Sequence, residues 1–233
     1  MVVPLADPEA LEQAFQQYAG DVAAIIIEPI PANNGLLLQD RSFLQLLRKK
    51  ADENGCLLIF DEVISGFRVG FEGATGYYDI QPDIITFGKI IGGGMPVGAY
   101  AASRQIMENI APVGPVYQAG TLSANPVAMA AGIATLTELL QPGFYAALEH
   151  KTKAFTGRLQ AHCDHKGYDI TFPSIGSIFW PTFTRNRIER SDEIDGSKMD
   201  LFKKMQQTTD AGSIIPTFMS THPAIEERIK ITE

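Results

Sequence analysis

Three short apolar runs, at residues 22–27, 57–60 and 84–87, are separated by stretches with helical spacing, and this alternation constrains the fold more than any other feature. Each run is too short for an amphipathic helix. None shows the polar alternation of a half-exposed strand, so each reads as a strand with both faces covered. Between the first two, Phe43, Leu44, Leu46 and Leu47 recur at helical spacing up to Asn54-Gly55, a helix C-terminal stop. Ahead of the first run, Asp7-Pro8 followed by Leu11, Ala14, Phe15 and Tyr18 reads as a capped amphipathic helix ending at Gly20. Residues 97–102 supply a further strand after a glycine-dense turn. The pattern predicts an α/β fold, a mainly parallel sheet flanked by helices on both sides.

Asn125-Pro126 opens a helix of small residues over 127–140, which Pro142-Gly143 breaks. A second helix runs from Phe144 to about His165, with Leu148, Phe155 and Leu159 on one face. From Gly167 the texture changes to short β-like pieces, including Ile178-Phe179-Trp180, and a charged stretch at 185–204. We place a domain boundary at Pro142-Gly143, with residues 1–143 forming part of a large domain and 144–233 part of a small C-terminal α/β domain.

Net charge is −8, from 27 acidic and 19 basic residues, which argues against nucleic acid or an anionic membrane as partner. A small molecule or another protein is the expected partner. Cys56 and Cys163 lie too far apart to suggest a disulfide framework, pointing to a reducing cytoplasm. No segment approaches the roughly 18 consecutive apolar residues of a membrane span, and Met1-Val2-Val3-Pro4 has no signal-peptide character. The chain enters a helical pattern at once, so its start reads as the middle of a longer one.

Ligands of open α/β sheets collect beyond the carboxyl ends of parallel strands. Three such ends here carry polar groups: Glu28, Asp61 and Lys89. Lys89 sits in Thr86-Phe87-Gly88-Lys89-Ile90-Ile91-Gly92-Gly93-Gly94, an amine delivered to a turn where something can approach the backbone closely. Together, Asp61 and Lys89 suggest pyridoxal phosphate, which needs an amine for its aldehyde and a carboxylate to keep its ring nitrogen protonated. Taken singly, Asp61 reads equally well as a turn cap and Lys89 as a solvated amine. A competing reading makes residues 57–62 the acidic strand of a nucleotide triphosphatase, but Asp83 and Ile90 break the phosphate-loop pattern around Gly88-Lys89. Gly120-Thr121, ahead of Ser123-Ala124-Asn125-Pro126 and a helix, could hold a phosphate, or Ser123 or Asn125 could simply cap that helix. His162, Cys163 and His165 lack a second ligand pair, so no metal site is expected.

Ile59-Phe60-Asp61-Glu62-Val63-Ile64-Ser65-Gly66-Phe67-Arg68, Pro82-Asp83, and Gly88-Lys89-Ile90-Ile91-Gly92-Gly93-Gly94-Met95-Pro96-Val97-Gly98-Ala99-Tyr100 resemble the class III pyridoxal-phosphate aminotransferases. Gly114-Pro115-Val116-Tyr117-Gln118-Ala119-Gly120-Thr121-Leu122-Ser123 narrows the resemblance to the glutamate-1-semialdehyde aminomutase branch, over roughly residues 3–205. It implies a fold-type-I architecture in which Lys89 forms the imine with pyridoxal phosphate and carries a proton between the two carbons that exchange the amino group. Asp61 would pair with the pyridinium nitrogen and Val63 would pack on the ring. Gly120 and Thr121 would bind the cofactor phosphate of the neighbouring subunit of a homodimer. Asn33, in Glu28-Pro29-Ile30-Pro31-Ala32-Asn33-Asn34-Gly35, matches the aminomutase pattern where many family transaminases carry glutamate.

The resemblance also implies glutamate-1-semialdehyde as substrate, 5-aminolevulinate for tetrapyrrole synthesis as product, and a chain that starts about halfway along the family's length. Residues 212–233, including Ser213-Ile214-Ile215-Pro216-Thr217-Phe218-Met219-Ser220-Thr221-His222-Pro223, depart from the family. They look more like the tail of a zinc metallopeptidase, without its His-Glu-x-x-His motif. Impaired activity of the chain alone is therefore expected. The competing readings are another class III aminotransferase and a non-catalytic fragment or interaction module.

Overall fold

A computed structural model describes residues 1–33 and 35–195. The element order is α1 (Pro8–Gln17), β1 (Ala24–Ile27), α2 (Arg41–Asn54), β2 (Leu57–Asp61), α3 (Gly73–Tyr78), β3 (Ile84–Phe87), a 3-10 turn (Lys89–Gly92), β4 (Ala99–Ala102), α4 (Arg104–Met107), α5 (Pro126–Leu139), α6 (Phe144–Lys166), and the hairpin strands β5 (Ser174–Ile175) and β6 (Ile178–Phe179). Met1–Ile194 form one compact unit. Residues 212–233, expected to depart from the family, and the part of the charged stretch beyond 195 lie outside the described residues.

Local signals place the helices. The Asp7 carboxylate accepts from the Ala10 amide with Pro8 in the first turn, and Gly55, in the left-handed region, closes α2. The four-stranded sheet has the order β1-β2-β3-β4, parallel across β1, β2 and β3, with β4 antiparallel on β3. Register puts Ile27, Phe60, Ile85 and Ala101 in one row, and Ile26, Ile59, Ile84 and Ala102 in the next. Successive rows face opposite sides.

On the first side, Leu58 and Phe60 are fully buried against Leu11 and Phe15 of α1, Leu44, Leu47 and Ala51 of α2, and Ala74 and Tyr78 of α3. Burying each large apolar side chain contributes about 1.5–3 kcal/mol, so this layer dominates the stability. The other side is more open than the apolar runs predict. Ile26 is 67% exposed and Tyr100 39%. Asp61 and Thr86 belong to this more open side, because they lie two residues beyond Ile59 and Ile84 and pair with each other.

Helix α5 packs against the 3-10 turn through backbone. A methyl at Gly132 would overlap the Ile91 carbonyl oxygen, and one at Gly93 the Ala131 carbonyl. In α6 the buried face runs through Thr152, Thr156 and Cys163, whereas Phe155, expected on that face, lies at its rim and meets Phe179 edge-on. The threonines can be buried because their hydroxyls donate one turn back, to Leu148 O and Thr152 O at 3.0 Å each. Ile175 reaches the main core, and the following segment is tied to the N-terminal part by Arg187 to Asp40 at 2.8 Å and Gln39 Nε2 to Glu189 O at 3.0 Å. No helix among the described residues is long and apolar enough to cross a membrane.

Candidate active site

Strand β2 ends at Asp61, and its carboxylate is held on one side only. Oδ1 accepts from the Val63 amide and from the Thr86 hydroxyl of the neighbouring strand, each at 3.1 Å. Oδ2 accepts no hydrogen bond from the described residues. A half-satisfied, partly buried carboxylate at a strand end can receive one further donor.

Glu62, the next residue, is almost fully buried and saturated. Oε2 accepts from Ser65 Oγ at 3.0 Å and the Ala74 amide at 2.6 Å, and Oε1 accepts from the Thr75 amide at 2.9 Å and Thr75 Oγ1 at 2.8 Å. It thereby caps α3 and fixes the turn that carries the Val63 amide. Gly73 makes room, since a methyl there would overlap Glu62 Oε2.

Strand β3 delivers Gly88 and Lys89 alongside. Gly88 is buried, and a methyl on it would lie 3.2 Å from Val63 Cγ1, so Val63 borders the lysine turn. Lys89 opens the 3-10 turn with φ of +46°, a left-handed conformation that a side chain adopts only under constraint. Its exposed amine makes no hydrogen bond or ion pair with the described residues. Asp61, Val63, Thr86, Gly88 and Lys89 thus form one cluster. Asn33 reaches the same sheet end indirectly. Its Nδ2 donates to Glu28 Oε1 at 3.1 Å, and Glu28 follows Ile27, the register partner of Phe60. The buried Glu28 Oε2 has no partner among the described residues.

Gly120 and Thr121 stand apart. They lie in an exposed turn closed by the Ser123 amide onto Gly120 O at 3.0 Å, and no hydrogen bond among the described residues links them to the Lys89 cluster. Asn125 caps α5, its Oδ1 accepting from Val127 and Ala128. No group of three possible metal ligands occurs among the described residues. Burial pushes the Cys56 thiol up, which suits a core residue and disfavours a reactive one.

Sequence reasoning missed Thr86 and Glu62. A threonine in a strand reads as β propensity, and a glutamate after an aspartate reads as surface charge. The one signal available was register, which sets Thr86 opposite Asp61 once the strands are known to be parallel.

Residues 5–193 match the family described as aminotransferase class-III. The chain is 45% identical over 204 residues to a glutamate-1-semialdehyde 2,1-aminomutase of Dechloromonas aromatica, covering 88% of this chain and 48% of that protein. It is 50% identical over 176 residues to the protein of that name from Desulfosudis oleivorans, covering 76% and 41%. Among solved structures, a β-phenylalanine aminotransferase from Variovorax paradoxus superposes with a TM-score of 0.77 at 33% identity, over 84% of this chain and 45% of that one. A glutamate-1-semialdehyde aminomutase from Pseudomonas aeruginosa gives 0.73 at 26%, over 83% and 44%. The chain spans about half the length of the curated relatives it matches. With a family match over residues 5–193 and the glycine-lysine turn set beside an aspartate at the sheet's carboxyl end, the chain belongs to the class-III aminotransferases.

Proposed function

We propose that this chain carries the lysine-bearing part of a pyridoxal-phosphate-dependent glutamate-1-semialdehyde 2,1-aminomutase. The observation that supports it most is the carboxylate of Asp61, doubly held on Oδ1 and open on Oδ2, at the sheet end where β3 runs into the turn of Lys89, whose amine has no partner among the described residues. The donor set fits the cofactor: one open carboxylate oxygen for a protonated ring nitrogen, one amine for an aldehyde, and a valine wall where Gly88 leaves no side chain. When bound, pyridoxal phosphate supplies an aldehyde that captures amines and a ring that delocalises the electron pair released at the adjacent carbon.

In this reading Asp61 Oδ2 would keep the ring nitrogen protonated, and Val63 would pack against the ring. Lys89 Nζ would be the amine that holds the cofactor's aldehyde, and the same amine would take up and return the proton at the substrate carbon that bears the amino group. Asn33, held by Glu28, would contribute to the cofactor site, and Gly120 and Thr121 would bind the phosphate of a neighbouring protomer in a homodimer. Residues 1–143 carry the cofactor-binding elements, and 144–233 begin the smaller part. The reading places the protein in the cytoplasm, making 5-aminolevulinate for tetrapyrrole synthesis. Because the chain spans about half of its relatives, turnover by the chain alone is expected to be low.

The aminomutase names among the relatives and Asn33 favour this activity. The likeness to a β-phenylalanine aminotransferase favours a second reading, amino exchange with a keto acid. Titration of the purified chain with pyridoxal phosphate should produce a visible absorbance band that Lys89→Ala abolishes. No band in the unaltered chain refutes cofactor binding by it. Conversion of glutamate-1-semialdehyde to 5-aminolevulinate without a keto acid separates the two activities.

A further inference from the structure

We propose that Thr86 is the positioning residue for Asp61, an inference that rests on the cofactor reading above. A carboxylate at a strand end has two equivalent oxygens and a soft torsion about the bond joining it to Cβ, so some contact must select which oxygen faces outward. Here two donors from different elements converge on one oxygen. The Val63 amide comes from the turn after β2 and the Thr86 hydroxyl from the middle of β3, each 3.1 Å from Oδ1.

The amide alone would leave the carboxylate plane free to pivot about a single contact. A second donor from the adjacent strand fixes the plane, so that Oδ2 is the oxygen left open. Both donors are themselves held. The parallel register pairs Asp61 with Thr86, and Glu62 fixes the turn bearing the Val63 amide through its bonds to Ala74 and Thr75. Thr86 acts through Asp61 and not on the cofactor itself. It sets the direction in which Asp61 presents its charge.

The variants Thr86→Val, Thr86→Ser and Thr86→Ala test this. Valine keeps the branched shape and β preference while removing the hydroxyl, and serine keeps the hydroxyl. Pyridoxal phosphate titrations of the full chain, followed by visible absorbance across pH, are compared with crystal structures of the cofactor-free variants. The expected result is about tenfold weaker binding in T86V, the size of one lost hydrogen bond to a charged group. The band should also lose its protonated-ring form at lower pH. T86S should restore both, and T86A should repeat the loss if T86V does not fold. In the crystals, Asp61 Oδ2 should move in T86V and hold its place in T86S. Unchanged affinity and pH profile in T86V overturn the proposal. If the unaltered chain binds no cofactor, the functional reading fails by itself and the crystals decide the lock: a rotated carboxylate in T86V upholds it, an unmoved one overturns it.

Discussion

Replacing Glu62 by glutamine changes one buried oxygen into an NH2 group without changing size, and its cost follows from the four donors around that carboxylate. Two are hydroxyls, Ser65 and Thr75, which can turn and accept instead. The other two are the amides of Ala74 and Thr75, which cannot. Each oxygen of Glu62 faces one hydroxyl and one amide, so either orientation of a glutamine sets an NH2 against a backbone N–H. One buried donor loses its partner at about 1–3 kcal/mol, and the surviving bonds lose their charge assistance, for a total of about 3–4 kcal/mol. Against a typical domain stability of about 5–15 kcal/mol this is a large fraction. Urea unfolding followed by fluorescence of Trp180, the single tryptophan, should show a lower midpoint at constant slope. The melting temperature should fall by about 6–16 °C for a chain of this size. A loss below about 1 kcal/mol would mean that the four bonds do not act together, and would refute the reasoning.

Glycine-to-alanine changes should have opposite signs in α5 and α6. Gly157→Ala in α6 meets open space and should stabilise by about 0.5–1 kcal/mol, while Gly132→Ala in α5 meets the Ile91 carbonyl and should destabilise by about 2 kcal/mol or more and weaken the visible band. Unfolding midpoints measured side by side check both. Tyr78 donates to Gln39 O at 3.1 Å, and burial pushes its phenol up to about 12. The folded state therefore retains this proton more tightly than the unfolded chain, whose tyrosine titrates near 10. Stability from this group is present below about pH 10 and is lost as pH rises toward 12, a decline that should be absent in Tyr78→Phe.

The parallel strands and their helices were legible because buried strands leave uninterrupted apolar runs, as at 57–60, and because Asp7-Pro8 and Asn54-Gly55 punctuate helices by backbone chemistry alone. Helix α3 was not legible. Gly73-Ala74-Thr75-Gly76-Tyr77-Tyr78 has little helical propensity of its own, and its start is capped by Glu62, eleven residues earlier than Gly73. The openness around Ile26 escaped for a related reason: an apolar run says that a strand prefers cover, not what supplies it. Lys89 and Asp61 could be picked from the sequence because strand ends are where ligands collect, whereas the hydrogen bond from Thr86 depends on a pairing register that no local pattern encodes.

The contact between α5 and the lysine turn is made by backbone atoms on both sides, with Gly132 against Ile91 and Gly93 against Ala131. Side-chain contacts can absorb a displacement by changing rotamer; backbone contacts cannot. The helix that begins just after Gly120 and Thr121 and the turn that carries Lys89 are therefore coupled as a lever is to its fulcrum. A displacement of α5 at Gly132 would press directly on the carbonyl of Ile91, two residues from Lys89.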